Sequence, residues 1–300
     1  MIEDLNRTYG IEGQLFFESG VGGLPRVVIS NALSSAEVYL HGAHVTAFRP
    51  RGAESVLWLS DIADFRPGRP IRGGIPVCWP WFGPHPTGGS LPQHGFARLS
   101  DWGVTGTRAS PDGRTELRLL LEDDEDTRAL WPHPFSLELR VVVGEALEVE
   151  LTTRNVGPDV VAIGGALHTY FRVADINRVS VDGLAGCNYI DKVDGCRIKR
   201  QEGLISFCGE VDRVYLDAPG DCVIDDAALG RRIHVGKNGS RTTVVWNPWA
   251  NRSKGMADFP DEGYRTMVCV EATNAESDVY SVPPGGEHTL SQVIAVRRDL

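Results

Sequence analysis

Residues 266–274 read TMVCVEATN, and Glu271 stands where the apolar alternation calls for another buried hydrophobic residue. A buried carboxyl group is costly unless it is paired, hydrogen-bonded or protonated. Glu271 is therefore read either as a strand end that reaches water or as a working acid/base. A second break in an apolar pattern is His168 in GGALHTYFRV, where alternation puts Ala166, His168 and Tyr170 on one face and Leu167, Thr169 and Phe171 on the other. Both faces are largely apolar, so this strand is expected to be interior. Its histidine is either a satisfied core residue or a proton donor that titrates near neutrality. The third stretch, residues 69–98, is rich in glycine and proline and carries Arg72, Gln93, His94 and Arg98. Long shaped loops in compact folds are disproportionately functional. Arginine forks suit phosphate or carboxylate, and His94 could polarise a substrate oxygen; alternatively the loop's tryptophans pack on the fold while the arginines sit in water. If the fold brings His168 and Glu271 to one pocket, their surroundings can separate the two pKa values and supply an acid and a base at one pH.

The elements that must position these side chains are strands. In FSLELRVVVGEALEVELTTRN, Phe135, Leu137, Leu139, Val141 and Val143 share a face, and Leu147, Val149 and Leu151 alternate again after the turn, which predicts a β-hairpin. RVVIS, AEVYL, SVLWLS, TELRLLLE, RTTVVW, TMVCVE and SQVIAVRR also read as strands, with turn signals at Asp112-Gly113, Asp182-Gly183, Asp194-Gly195 and Asn238-Gly239. Many short strands with such turns predict an all-β sandwich, with few and short helices, for example at residues 4–9 and 126–130. The acidic run EDDEDTR at 122–128 is read as a solvated turn. His41 and His44 in HGAH fall on opposite faces of a strand, which speaks against a shared metal.

The 300 residues are 42% hydrophobic, enough for a substantial core, and 40 acidic against 30 basic residues give a formal charge of −10. With no basic run, nucleic acid is an unsuitable partner. No signal-like start and no apolar stretch of membrane-spanning length is present, so a soluble, cytoplasmic protein is expected, its six cysteines reduced. No phosphate-binding glycine loop, dinucleotide fingerprint, zincin motif or nucleophile elbow occurs.

The ordered set IRGGIPVCWPWFGPHP, LPQHGFAR, ALHTYFRV, EVDRVYLD, VVWNPW followed by Lys254, and GYRTMVCVEATN resembles the aldose 1-epimerase family. Within that family it is similar to the hexose-6-phosphate mutarotases (glucose-6-phosphate 1-epimerases), over nearly the whole chain. The resemblance implies a large antiparallel β-sandwich of the galactose-mutarotase type, one domain over residues 1–300, with sugar bound on the concave face of one sheet. It implies His168 and Glu271 as catalytic residues, and Gln93, His94 and Asp212 as contacts to sugar hydroxyls. Arg72 and Arg98 match the positions that hold the substrate phosphate, and Lys254 is a candidate for the same rim. Trp79, Trp81 and Trp246 either wall the pocket or belong to the core. The implied reaction interconverts α and β anomers of a hexose 6-phosphate: ionised Glu271 takes the C1 hydroxyl proton while protonated His168 donates to the ring oxygen. Proton transfers suffice, so neither a metal nor an organic cofactor is expected. The implied partner is a small sugar phosphate, with no nucleic acid and no membrane, and the chain is expected to be a monomer or weak dimer. Two other readings stand beside this one: an epimerase of unphosphorylated aldoses, and a non-catalytic carbohydrate-binding protein on the same fold.

Overall fold

The computed structural model describes residues 1–85 and 87–298. Two large antiparallel sheets dominate. The nine-stranded sheet runs, in spatial order, through Ile205–Ser206, Val179–Asp182, Cys222–Asp226, Arg231–Asn238, Glu287–Arg298, Ala146–Asn155, Phe135–Val143, Thr115–Glu122 and Gly103–Ala109. The eight-stranded sheet has at its centre Val211–Leu216, Thr242–Asn247 and Met267–Asn274, with Gly165–Leu167 and Tyr170–Arg172 both pairing with the last of these. Period-two alternation explains the layering: Leu137, Leu139, Val141, Leu147, Val149 and Leu151 of the predicted hairpin are all buried, and the residues between them, such as Glu138, Arg140, Glu148 and Glu150, face outward.

The central strands of the eight-stranded sheet are buried on both sides, all eight residues of Met267–Asn274 and all six of Thr242–Asn247. One face packs into the sandwich. There Gln292, fully buried on the nine-stranded sheet, donates to Val270 O at 3.1 Å and accepts from the Thr169 hydroxyl. This polar clamp joins the layers where an otherwise apolar core meets the break between Gly165–Leu167 and Tyr170–Arg172. With Thr169 directed inward, its neighbour His168 must face the other way, toward the surface cleft.

The loop of residues 69–98 is anchored by its aromatic side chains. Trp79 lies 4.6 Å from Phe135 and 5.1 Å from Trp131, ring centre to ring centre, and Trp81 Nε1 donates to Pro92 O at 3.0 Å. Both tryptophans therefore belong to the core. Gly95 is obligatory here: its φ is +71°, and a Cβ would meet Trp79 O at 1.9 Å. The first strands of the chain secure the other end of the loop, with Ile75 N donating to Val45 O at 2.9 Å and buried His44 Nε2 donating to Gly73 O at 2.7 Å.

Two expectations are corrected. SVLWLS makes only isolated bridges, Leu57 to Phe171 and Leu59 to Gly73, because it meets the three-residue strand Tyr170–Arg172 on one side and the loop at Gly73 on the other, neither long enough for a continuous ladder. The acidic run is not a plain turn: Asp124 caps the helix Glu125–Leu130, accepting from Thr127 N at 2.8 Å. A third helix, Trp249–Ser253, follows Asn247-Pro248 and had no periodic signal at five residues. No helix among the described residues is long and apolar enough to cross a membrane.

Burial holds the His44 pKa down, from 6.5 to about 3. The folded state thus refuses a proton that the unfolded chain accepts, so this contribution to stability is present above pH 6.5 and is lost as pH falls toward 3. Each pH unit in that window costs about 1.4 kcal/mol for one such histidine. Chemical denaturation at pH 7 and pH 5 should show wild-type stability falling, and His44→Gln should be less stable at pH 7 but lose about 2 kcal/mol less between the two pH values.

Candidate active site

The strand register builds the site. Leu167 pairs with Ala272 and Tyr170 with Cys269, so the intervening His168 lies across from Glu271. Val244 pairs with Glu271, Trp246 with Cys269, and Asp212 with Trp246. With side chains alternating, Asp212, Val214, Val244, Trp246, Glu271, His168 and Tyr170 all open onto one cleft of about 640 Å³. Phe82, Gln93, His94 and Arg98 wall it from the loop, and Arg72, Lys192, Arg252, Met256 and Glu276 complete the lining. A cavity of this size takes a hexose phosphate.

At its floor, His168 Nε2 is 3.4 Å from Glu271 Oε1. Glu271 is 1% exposed, and neither its carboxyl oxygens nor His168 Nδ1 has a hydrogen-bond partner among the described residues. Burial, reinforced by the negative charge of Asp212, raises the Glu271 pKa well above the usual carboxylate range. Burial first, then His94, Arg98 and Arg72, drives the His168 pKa well below the usual imidazole range. Both side chains are thus pushed toward their neutral forms. This differs from the expected pair of ionised glutamate and protonated histidine, because desolvation penalises each charge separately.

The other expected residues surround this pair. His94 has a φ of +62°, and its Nδ1 accepts from Gly83 N at 3.3 Å. That leaves Nε2–H as the donor of a neutral ring whose pKa is lowered to about 3, chiefly by burial. Arg98 donates from one Nη to Gln93 O at 2.8 Å, tying the exposed Gln93 to the cleft wall, while its buried Nε is unpartnered. Arg72 Nη1 donates to the Tyr170 hydroxyl at 3.0 Å, and its Nε to Asp258 Oδ2 at 3.2 Å. Asp212 lies 4.0 Å from Arg252, and burial raises its pKa.

Lys254 is exposed and is not part of the cleft lining; Arg252, one helical step earlier, takes that place. Arg252, Tyr170, Asp258 and Lys192 were not singled out from sequence. Only Tyr170 carried a usable signal there, since it shares the His168 face. The helix bearing Arg252 depends on buried Asn247, whose side chain accepts from Trp249 N at 2.9 Å and donates to Tyr264 O and Met267 O, both at 2.9 Å. His168, Cys269 and Glu271 place ligand atoms within 4.8 Å of one another, so a thiophilic divalent ion could be held only at the expense of the histidine–glutamate pair.

Comparison with known proteins agrees with this geometry. The aldose 1-epimerase family model matches residues 25–295, and the chain belongs to that family. It is a mutarotase-type epimerase with the antiparallel architecture of that class. A relative from Escherichia coli (strain K12), which bears a provisional name as a glucose-6-phosphate 1-epimerase, is 42% identical over 277 residues, 92% of this chain and 91% of its own. One from Cenchrus ciliaris with the same provisional name is 38% identical over 275 residues, 88% of this chain and 82% of its own. The crystal structure of a provisionally named mutarotase from Salmonella typhimurium superposes with a TM-score of 0.91 at 36% identity, covering 97% of this chain and 96% of that one.

A carboxyl group buried without partners lowers stability. Glu271→Met, which fills a similar volume without the polar atoms, should raise the unfolding free energy by about 1–3 kcal/mol in a denaturant titration while abolishing activity.

Proposed function

We propose that this epimerase interconverts the α and β anomers of hexose 6-phosphates, glucose 6-phosphate foremost, by opening and reclosing the pyranose ring. The observation that carries this reading is the in-register contact of His168 with Glu271 at the floor of a cleft whose wall presents Arg72 and Arg98. Two proton carriers in contact meet the chemical need, and two guanidinium groups meet the charge of a phosphate.

The pair works with a single shared proton. Its neutral form, Glu271 carboxylic acid with His168 imidazole, is favoured by burial; its ion-pair form carries the base and the acid together. In the ion-pair form the Glu271 carboxylate takes the proton from the C1 hydroxyl as the His168 imidazolium protonates O5. The C1–O5 bond breaks, the C1 carbonyl forms, and the two side chains are left neutral. Rotation about C1–C2 turns the other face of the aldehyde toward O5. The reverse transfers then close the opposite anomer: His168 takes the O5–H proton as that oxygen attacks C1, and Glu271 protonates the new hydroxyl oxygen. Ring closure thus starts from the protonation state that burial stabilises, and no net proton is consumed. His94, Gln93 and Asp212 are placed to hold ring hydroxyls, so that C1 and O5 meet the two carriers.

Exchange of glucose 6-phosphate anomers, followed by magnetisation-transfer NMR with purified protein, tests the reading. Glu271→Gln and His168→Asn should each lower kcat by roughly 10²–10⁴. Loss of the shared proton at high pH and gain of a second at low pH should give a bell-shaped profile of kcat/KM, its two limbs belonging to the pair rather than to either residue. Replacing Arg72 or Arg98 with methionine should weaken glucose 6-phosphate much more than glucose. Equal losses for the two sugars would instead favour an epimerase of unphosphorylated aldoses.

A further inference from the structure

The phosphate end of the cleft and the proton-transfer pair are joined by a fixed chain of side chains. Arg72 donates from Nη1 to the Tyr170 hydroxyl at 3.0 Å, and the Tyr170 ring stacks on the His168 imidazole with centres 4.9 Å apart and planes 12° from parallel. His168 in turn contacts Glu271. Tyr170 has little freedom to move: it is 1% exposed, Trp58 stacks against it at 5.9 Å and 20°, and Trp246 abuts it edge-on at 5.9 Å. Arg72 is likewise braced by Asp258, whose Oδ2 lies 3.2 Å from both Nε and Nη2. Rings packed in this way hold the Arg72 guanidinium at a fixed separation from the His168 imidazole, so a change of charge at Arg72 acts on that ring through space without any loop movement.

We propose that the substrate phosphate does more than anchor the sugar: by seating on Arg72 and Arg98 it arms the His168–Glu271 pair through the Arg72–Tyr170–His168 chain, so that the cleft turns over phosphorylated sugars and leaves unphosphorylated ones bound to a disarmed pair. This rests on the mutarotase reading above. The charged and titratable groups facing His168 are His94, Arg98, Arg72, Tyr170 and, across the strand, Glu271 and Cys269. Burial and then His94, Arg98 and Arg72 oppose a proton on His168. Arg98 acts on both members of the pair, also favouring the ionised Glu271 carboxylate, whereas Arg72 bears on His168 and is not among the groups that shift Glu271. Passing the shared proton from Glu271 to His168 therefore places a positive charge under the influence of Arg72. Arg72 opposes that transfer until a phosphate dianion offsets its charge, and the dianion's own field then favours it. Specificity for phosphate accordingly lies in the chemical step as well as in binding.

The phosphate can be supplied in pieces. D-xylose keeps the pyranose ring and lacks both C6 and the phosphate, and phosphite supplies the oxyanion. With wild-type protein, saturating phosphite should raise the enzyme-dependent rate of xylose anomer exchange by about tenfold or more, after subtraction of the rate with phosphite alone. Tyr170→Phe keeps the stacked ring and loses the hydroxyl link to Arg72. It should cut the phosphite activation of xylose severalfold and lower kcat for glucose 6-phosphate with little change in KM.

An unmoved xylose rate overturns the proposal, whether or not phosphite inhibits glucose 6-phosphate exchange. A Tyr170→Phe enzyme with raised KM and wild-type kcat overturns it as well, by confining the hydroxyl to binding. Failure of the mutarotase reading is distinguishable: in that case wild-type protein would exchange glucose 6-phosphate no faster than buffer. Intact glucose 6-phosphate exchange with no phosphite effect on xylose would remove the gating alone.

Discussion

The structure is organised around the cost of keeping one carboxyl group away from water. Glu271 lies in a strand buried along its whole length, with both oxygens unpartnered and a histidine as its nearest titratable neighbour. A charge there is disfavoured, and so is a charge on the histidine. What burial favours is a neutral pair, carboxylic acid beside imidazole, with facing atoms 3.4 Å apart. Neither group could be kept in that condition on a surface loop, where water would restore ordinary proton affinities. The sandwich, the aromatic anchoring of the loop of residues 69–98 and the clamp at Gln292 all serve to exclude that water and fix the two strands in register.

The same constraint explains how charge is distributed around the cleft. Cations and anions on its wall are mostly matched in pairs, Lys192 with Glu276 at 2.7 Å and Arg252 with Glu210 at 3.0 Å. Arg72 also has a carboxylate partner, Asp258, which engages Nε and Nη2, while Nη1 is bonded to the hydroxyl of Tyr170, whose ring stacks on His168. A guanidinium braced in this way needs no reorganisation when an oxyanion arrives. Arg98 is less fully satisfied, with its Nε buried and unpartnered. Binding energy for an anion and the electrostatic state of the catalytic pair are thus controlled by the same two side chains.

Much of the fold was legible in the sequence because β-sandwiches write their burial pattern in alternate residues. The hairpin through Phe135 and Leu151, the strands of Thr242–Asn247 and Met267–Asn274, and the placing of His168 and Thr169 on opposite faces all follow from period two, whereas which face meets the cleft was decided by the contact of Thr169 with Gln292. SVLWLS was misread because the same alternation also suits a segment that makes only single bridges, here to a three-residue strand and to a loop. Trp79 and Trp81 were ambiguous since residue type does not distinguish a pocket wall from a core anchor. The helix carrying Arg252 was invisible because five residues are too few for a period and because its start is fixed by the side chain of Asn247, bonded to residues far along the chain.

The sequence by itself determined which chemistry was available: a carboxyl and an imidazole at interior positions, arginines in a shaped loop, and strands with one face to spare for a cleft. It also carried the family resemblance, because the order and spacing of those segments are properties of the chain alone. Only the tertiary structure decided that residues 168 and 271 face each other across adjacent strands, that burial drives both toward neutrality, and that Tyr170 links Arg72 to His168. Register, dielectric surroundings and the approach of side chains distant in sequence depend on how sheets pair and pack, and no local pattern of residues encodes them.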